Sequence, residues 1–169
     1  KFDTIGPLTR SVEDAAHLLA VMEGGKVADL RGATLEGRRF AVLRTIMLDE
    51  SRDEPRAAFE IAVERLKAAG ATVDYIEVPE VFDALDLSAT LVPPEAYGLW
   101  KDVIEANPDV MYDKIRDRFR LGGNVGAADY VAGWGALESA RAAYDAATCG
   151  YDAVLGPSSA VMPPNLERL

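Results

Sequence analysis

Between residues 38 and 78 the chain runs strand, helix, strand. RRFAVLRT, residues 38–45, is a short apolar run framed by arginines. Pro55 sits where a first helical turn tolerates a missing N–H, and PRAAFEIAVERLKAAGA then places Ala58, Ile61, Ala62, Arg65 and Leu66 along one predicted side before stopping at Gly70. TVDYIEV, residues 72–78, carries β-branched residues and is closed by Pro79. Two strands joined through a helix of roughly 16 residues pair as parallel neighbours through a right-handed crossover. The expected class is therefore α/β, a mostly parallel sheet with flanking helices.

The flanking segments supply the rest of the layers. In TRSVEDAAHLLAVMEGG, Ser11 is placed to cap a helix, Asp14 three positions on completes a weak capping box, and Gly24-Gly25 end it. Val12, Ala15, Ala16, Leu19 and Met22 share its apolar face. Beyond Pro79 the pattern turns helical: PEVFDALDLSATL, then a helix expected to start at Pro93-Pro94, another over DVMYDKIRDRFRLGG, and a long one over GAADYVAGWGALESARAAYDAATCG. Gly133 and Gly135 in the last are expected to admit a close neighbour, at a cost of about 1 kcal/mol each relative to Ala. A short buried strand, residues 153–155, runs into a Gly-Pro-Ser-Ser loop and, lacking a hairpin partner, must join the first two strands in one sheet. The expected organisation is one domain over 1–169, with 1–78 and 150–169 forming the sheet and 79–149 a helical, substrate-side portion.

At 169 residues, 49% of them hydrophobic, the chain can bury a core, yet no apolar run approaches the roughly 20 residues of a membrane helix. A formal net charge of −10 repels phosphate backbones and anionic lipid, so neither nucleic acid nor membrane is an expected partner. The single Cys149 cannot form an internal disulfide and has no zinc-ligand spacing around it, which suits a reducing, cytoplasmic compartment. His17 is the only histidine, and helical spacing sets it beside Glu13 and Asp14, so it reads as a solvated surface residue. Asp49, Glu50, Asp53 and Glu54 crowd LDESRDEP, but Arg52 and Arg56 sit among them and the EF-hand spacing is absent, which favours helix capping over metal binding. EGGK and GGNVG match neither the phosphate loop nor the dinucleotide fingerprint. No cofactor and no metal is expected.

Ser158 and Ser159, at the carboxyl end of the last strand, stand where open α/β sheets place ligands. A nucleophilic serine requires a base, and this loop holds neither His nor Lys. Tying down the backbone or lining a substrate pocket fits them better than direct catalysis.

Three segments read together resemble the amidase signature family of serine hydrolases: FDTIGPLTRSVEDAAHLLAVMEG, AAFEIAVERLKAAGATVDYIEVPE and YDAVLGPSSAVMPP, the last with Ser158 where a Thr is common. The resemblance runs across all 169 residues and implies an incomplete portion of the amidase signature fold, an internal piece that lacks the catalytic signature. It also implies the family's chemistry, a Ser-cis-Ser-Lys triad acting through an acyl-serine intermediate, with a buried neutral Lys as base and backbone N–H groups holding the oxyanion. None of those motifs occurs here, so no catalytic residue is expected in this chain. Asp3 and Thr4 match a segment packed beside the catalytic loop, Ser158 and Ser159 the strand-end loop near the pocket. RFRLGG resembles an Arg-x-x-Leu-Gly segment of the A-type component of glutamyl-tRNA amidotransferases, which would put Arg118 against substrate.

Three functional readings stand at this point. The first is part of an amidase that cleaves a carboxamide C–N bond, its partner a small-molecule amide. The second is a non-catalytic α/β module binding a small molecule or a partner protein. The third is an A-type component of a glutamyl-tRNA amidotransferase. Apolar faces of Phe2, Ile5 and Val154 left without cover would drive association, so a homodimer is a further expectation.

Overall fold

The structure is a computed structural model that describes Phe2, residues 4–163 and Asn165. It divides into two compact units, Lys1–Thr34 and Leu35–Leu169.

Among its described residues the first unit holds one helix, α1 (Val12–Glu23). The Ser11 hydroxyl accepts the Asp14 N–H at 3.1 Å, and the chain leaves through Gly24 at φ +67°, a left-handed turn suited to glycine. Its apolar stripe is only partly covered. Ala15 and Ala16 are half-buried, whereas Val12, Leu19 and Met22 are exposed and the buried residue is Ala20. With one described helix, the unit offers no second helical face to lay on that stripe.

In the second unit β1 (Arg39–Leu43), β2 (Thr72–Ile76) and β3 (Ala153–Leu155) form a three-stranded sheet in the order β2-β1-β3, with both pairings parallel. The crossover helix is α3 (Asp53–Ala68), and a short helix, α2 (Ile46–Asp49), which the sequence pattern does not signal, precedes it. Register puts Val42 beside Leu155 and Phe40 beside Val73. Val42, Leu48 and Val63 make the buried cluster under α3, with Phe59, Val73 and Leu155 packed against it. The inward face of α3 is thus Phe59, Val63 and Leu66; Ile61, expected inward, is 54% exposed. The stripe is turned by about one residue because Phe59 and Val63 fill the sheet better than the alanines.

The helical layer holds α4 (Pro79–Leu85), α5 (Ser88–Ala106), α6 (Asp113–Arg120) and α7 (Ala127–Thr148), with a 3₁₀ turn at Leu121–Asn124 between the last two. The helix expected to begin at Pro93-Pro94 begins instead at Ser88, with both prolines inside it. Each proline removes one ladder hydrogen bond. The break is tolerated because burial of Leu91 and Pro93 holds the helix from outside. Gly122 approaches Pro93 so closely that a Cβ there would lie 2.2 Å from the proline carbonyl oxygen. Gly133 meets Leu91 in the same manner, at 3.0 Å from its Cδ2. Gly135, expected to do likewise, faces open space.

Candidate functional site

At the carboxyl end of the sheet two loops meet. The chain leaving β1 turns through α2 into α3, and the chain leaving β3 forms the loop 156–163. They are joined by the Arg52 N–H, which donates to the Ala160 carbonyl at 2.9 Å. Arg56, in the first turns of α3, reaches back and donates to the carbonyls of Leu48 at 2.9 Å, Asp49 at 2.6 Å and Ser51 at 3.4 Å. One guanidinium therefore satisfies the carbonyls that the end of α2 leaves without helical partners. Ser51 is buried, and its hydroxyl donates to the Met47 carbonyl.

Along α3 these loops border a groove of about 550 Å³. Ala58, Phe59, Ala62 and Leu66 form its helical wall, Leu155 its floor, and Pro157, Ser158, Ser159 and Met162 its loop side. Ala58 and Ala62, one turn apart, leave the space that larger side chains would fill. Ser159 is occupied with the backbone: its hydroxyl donates to the Val161 carbonyl at 2.7 Å and accepts the Val161 N–H at 3.3 Å. Ser158 is exposed in the groove and makes no hydrogen bond to a described residue. Among the described residues, Glu54 is the only ionisable side chain in the lining, which contains neither His nor Lys. His17 is exposed in the other unit. Lys67 pairs with Glu64 at 3.0 Å, Lys101 lies over the Tyr97 ring and Lys114 over that of Tyr112. A serine hydroxyl without a base is a weak nucleophile, so this arrangement can bind through Ser158 but not activate it.

Of the other expected site residues, those described are placed within their own units. Asp3 is outside the described residues. Thr4 is exposed in the Lys1–Thr34 unit. Arg118 is exposed on α6, lines no part of the Ser158 groove, and pairs with no described carboxylate. The ion pair of that segment is made two residues later. Arg120 donates to both oxygens of Glu105 on α5, at 2.9 and 2.7 Å, and the Tyr97 hydroxyl donates to the same carboxylate at 3.1 Å. The Arg120 hydrogen bonds hold Glu105 below the usual carboxylate range, and Glu105 in turn raises Arg120. Nothing in the spacing of Glu105 and Arg120 announces this clamp, because it depends on how α5 and α6 cross.

The amino end of the sheet is closed by a polar cluster. The Asp152 carboxylate accepts the Arg39 backbone N–H at 2.8 Å and Arg38 Nη1 at 2.9 Å. Arg39 reaches Asp74 of β2 at 3.2 Å and lies 4.9 Å from the centre of the Tyr151 ring. The backbone bond from Arg39, followed by that from the Arg38 side chain, lowers the Asp152 carboxyl; burial, followed by the neighbouring Asp74 carboxylate, raises the Tyr151 phenol. Tyr151-Asp152, read from sequence as part of a family-like segment, is here a structural clip at the end opposite the groove.

Among the described residues no helix is long and apolar enough to cross a membrane, and no group of three or more His, Cys, Asp and Glu side chains could hold a metal ion.

The amidase family model matches residues 1–169. An amidase of Pseudomonas putida is 30% identical over 142 residues, 76% of this chain and 30% of that protein. The A component of a glutamyl-tRNA(Gln) amidotransferase from an Exiguobacterium strain is 35% identical over 107 residues, 56% of this chain and 22% of that protein. A 2-amino-5-chloromuconic acid deaminase of Comamonas testosteroni is 27% identical over 171 residues, 99% of this chain and 37% of that protein. Among solved structures, a crystal structure of an amidase superposes with a TM-score of 0.82 at 26% identity, covering 95% of this chain and 36% of that one. The chain thus spans about a third of the length of these relatives. With the parallel sheet and its flanking helices reproduced in that structure and the family matched from first residue to last, the chain belongs to the amidase family.

Proposed function

We propose that this chain is the substrate-side part of an amide hydrolase that cleaves a carboxamide C–N bond through an acyl-serine intermediate, its nucleophile and base lying outside residues 1–169. The observation that carries the reading is the family match over the whole chain, set beside a Ser158 groove that offers a hydroxyl without a base. The serine attacks the amide carbonyl, the amine leaves with a proton, and water releases the acid. The base of the Ser-cis-Ser-Lys arrangement is a neutral buried lysine, and the protein works in the cytoplasm. The chain's own contribution is to bind and orient the amide, with Ser158 as a hydrogen-bonding group.

The test is treatment of the full-length protein and of the 169-residue chain with a serine-directed fluorophosphonate, followed by peptide mapping. Labelling outside residues 1–169 together with amide turnover by the full-length protein is expected, with an inert isolated chain. Labelling at Ser158 or Ser159, or turnover by the isolated chain that Ser158→Ala abolishes, would overturn the assignment.

A second reading rests on the similarity to an amidotransferase component. It expects the protein to copurify with dedicated partner proteins, and a catalytically active protein purified alone would argue against it.

A further inference from the structure

The peptide group between Ser51 and Arg52 is held at both ends. Its carbonyl accepts Arg56 Nη2 at 3.4 Å, and its N–H donates to the Ala160 carbonyl at 2.9 Å. A peptide group is planar, so fixing the direction of its C=O also fixes that of its N–H. Nη2 donates to the Leu48 and Asp49 carbonyls as well, at 2.9 and 2.6 Å, which anchors the guanidinium from the α2 side. The buried Ser51 side chain closes the same turn on the Met47 carbonyl. Arg56 is itself bound into α3, its backbone N–H donating to the Arg52 carbonyl at 3.1 Å.

On the far side of that peptide the loop 156–163 has little else to orient it. Beyond the pairing of Leu155 with Val42, the bond from Arg52 to Ala160 is, among the described residues, the one backbone hydrogen bond that ties the loop to another part of the chain. Ser159 braces the turn internally through Val161, and Ala160 lies between those two residues. A braced turn moves as a piece, so the direction of the Ala160 carbonyl and the position of Ser158 are set together. Arg56 lines no part of the groove, whereas its neighbours Glu54, Pro55 and Ala58 do. We propose that Arg56 is a positioning residue for the groove: acting through the Ser51–Arg52 peptide, it holds the loop that presents Ser158 to substrate. That the substrate is an amide lying against Ser158 rests on the hydrolase reading; the hold of Arg56 on the loop does not.

Backbone hydrogen exchange in the full-length protein, with kinetics on benzamide and propanamide, tests this in Arg56→Ala, Arg56→Lys and Arg65→Ala. Arg65 is an exposed residue of the same helix, so its replacement removes an equal charge away from the two loops. In Arg56→Ala the Arg52 N–H should exchange about tenfold faster or more relative to that of Val63, because the peptide carrying it is no longer held. KM should rise about three- to tenfold with kcat within about twofold, the pattern of lost binding and intact chemistry. Arg56→Lys should restore most of both, since all three bonds leave one nitrogen and an ammonium carries three N–H donors. Arg65→Ala should change neither. A role confined to stability has another signature: exchange at Arg52 and Val63 rises by one factor, and kcat falls with the folded fraction at constant KM. That signature, faster Arg52 exchange at unchanged KM, Arg56→Lys behaving as Arg56→Ala, or an equal effect of Arg65→Ala would each overturn the inference. A full-length protein that hydrolyses neither compound would count against the hydrolase reading, and the exchange comparison would still decide whether Arg56 holds the loop.

Discussion

A Cβ built on Gly122 would stand 2.2 Å from the carbonyl oxygen and 2.3 Å from the carbonyl carbon of Pro93. Those are backbone atoms of α5, which cannot swing aside as a side-chain tip can. Gly122→Ala is therefore expected to destabilise the protein by about 1–3 kcal/mol. Gly135, in the middle of α7, has nothing within 4 Å of the same position. There Ala should stabilise by about 0.5–1 kcal/mol, because the glycine contributes only its conformational freedom to the unfolded chain. Urea midpoints at unchanged m-value measure both, and a shared sign would contradict the packing described. Side chains divide in the same way. Ser158 and Ser159 are adjacent, chemically identical and both in the groove lining, yet the Ser159 hydroxyl is taken up by the Val161 backbone while that of Ser158 is not. Only the turn geometry separates them.

Among the elements, strands and caps follow most directly from local sequence. β3 occupies residues 153–155 as expected, and α1 begins after its Ser11 cap. Helices whose ends depend on neighbours depart from expectation. α5 runs through Pro93 and Pro94, and α2 forms where the sequence pattern signals no helix. In α2 the deciding group is distant: Leu48 is buried beneath α3, and Arg56 collects the carbonyls at its exit. Arg56→Ala should cost about 1 kcal/mol, less than the roughly 1.5–3 kcal/mol of a bond to a charged group, because the guanidinium is exposed and water can replace part of it. The change should also speed hydrogen exchange at Leu48 and Asp49 relative to Val63. Unaltered protection at those two amides would mean that burial of Leu48 alone maintains α2.

For the molecule as a whole, the two ends of the sheet do different work. The carboxyl end carries the groove, and the amino end is held shut by Arg38, Arg39, Asp74 and Asp152. Since the Asp152 carboxyl titrates below its ordinary value of about 3.9, its contribution is complete above that value and disappears as pH falls through the lowered one. Asp152→Asn should accordingly lower the urea midpoint at pH 7, with the deficit shrinking below about pH 4. A deficit that persists in acid would assign the effect to hydrogen bonding by the neutral group instead. The α/β class, the parallel crossover and the residues of the third strand were legible in residue order, because hydrophobic period, caps and proline placement act within a few residues, while the family was legible through the resemblance of three segments. Which face of α3 meets the sheet, whether Pro93-Pro94 starts a helix or lies inside one, and which arginine of α6 finds a carboxylate were settled only by the fold. Each depends on surfaces brought together from distant parts of the chain, where burial of a Phe59, a Leu91 or a Glu105–Arg120 pair outweighs local preference.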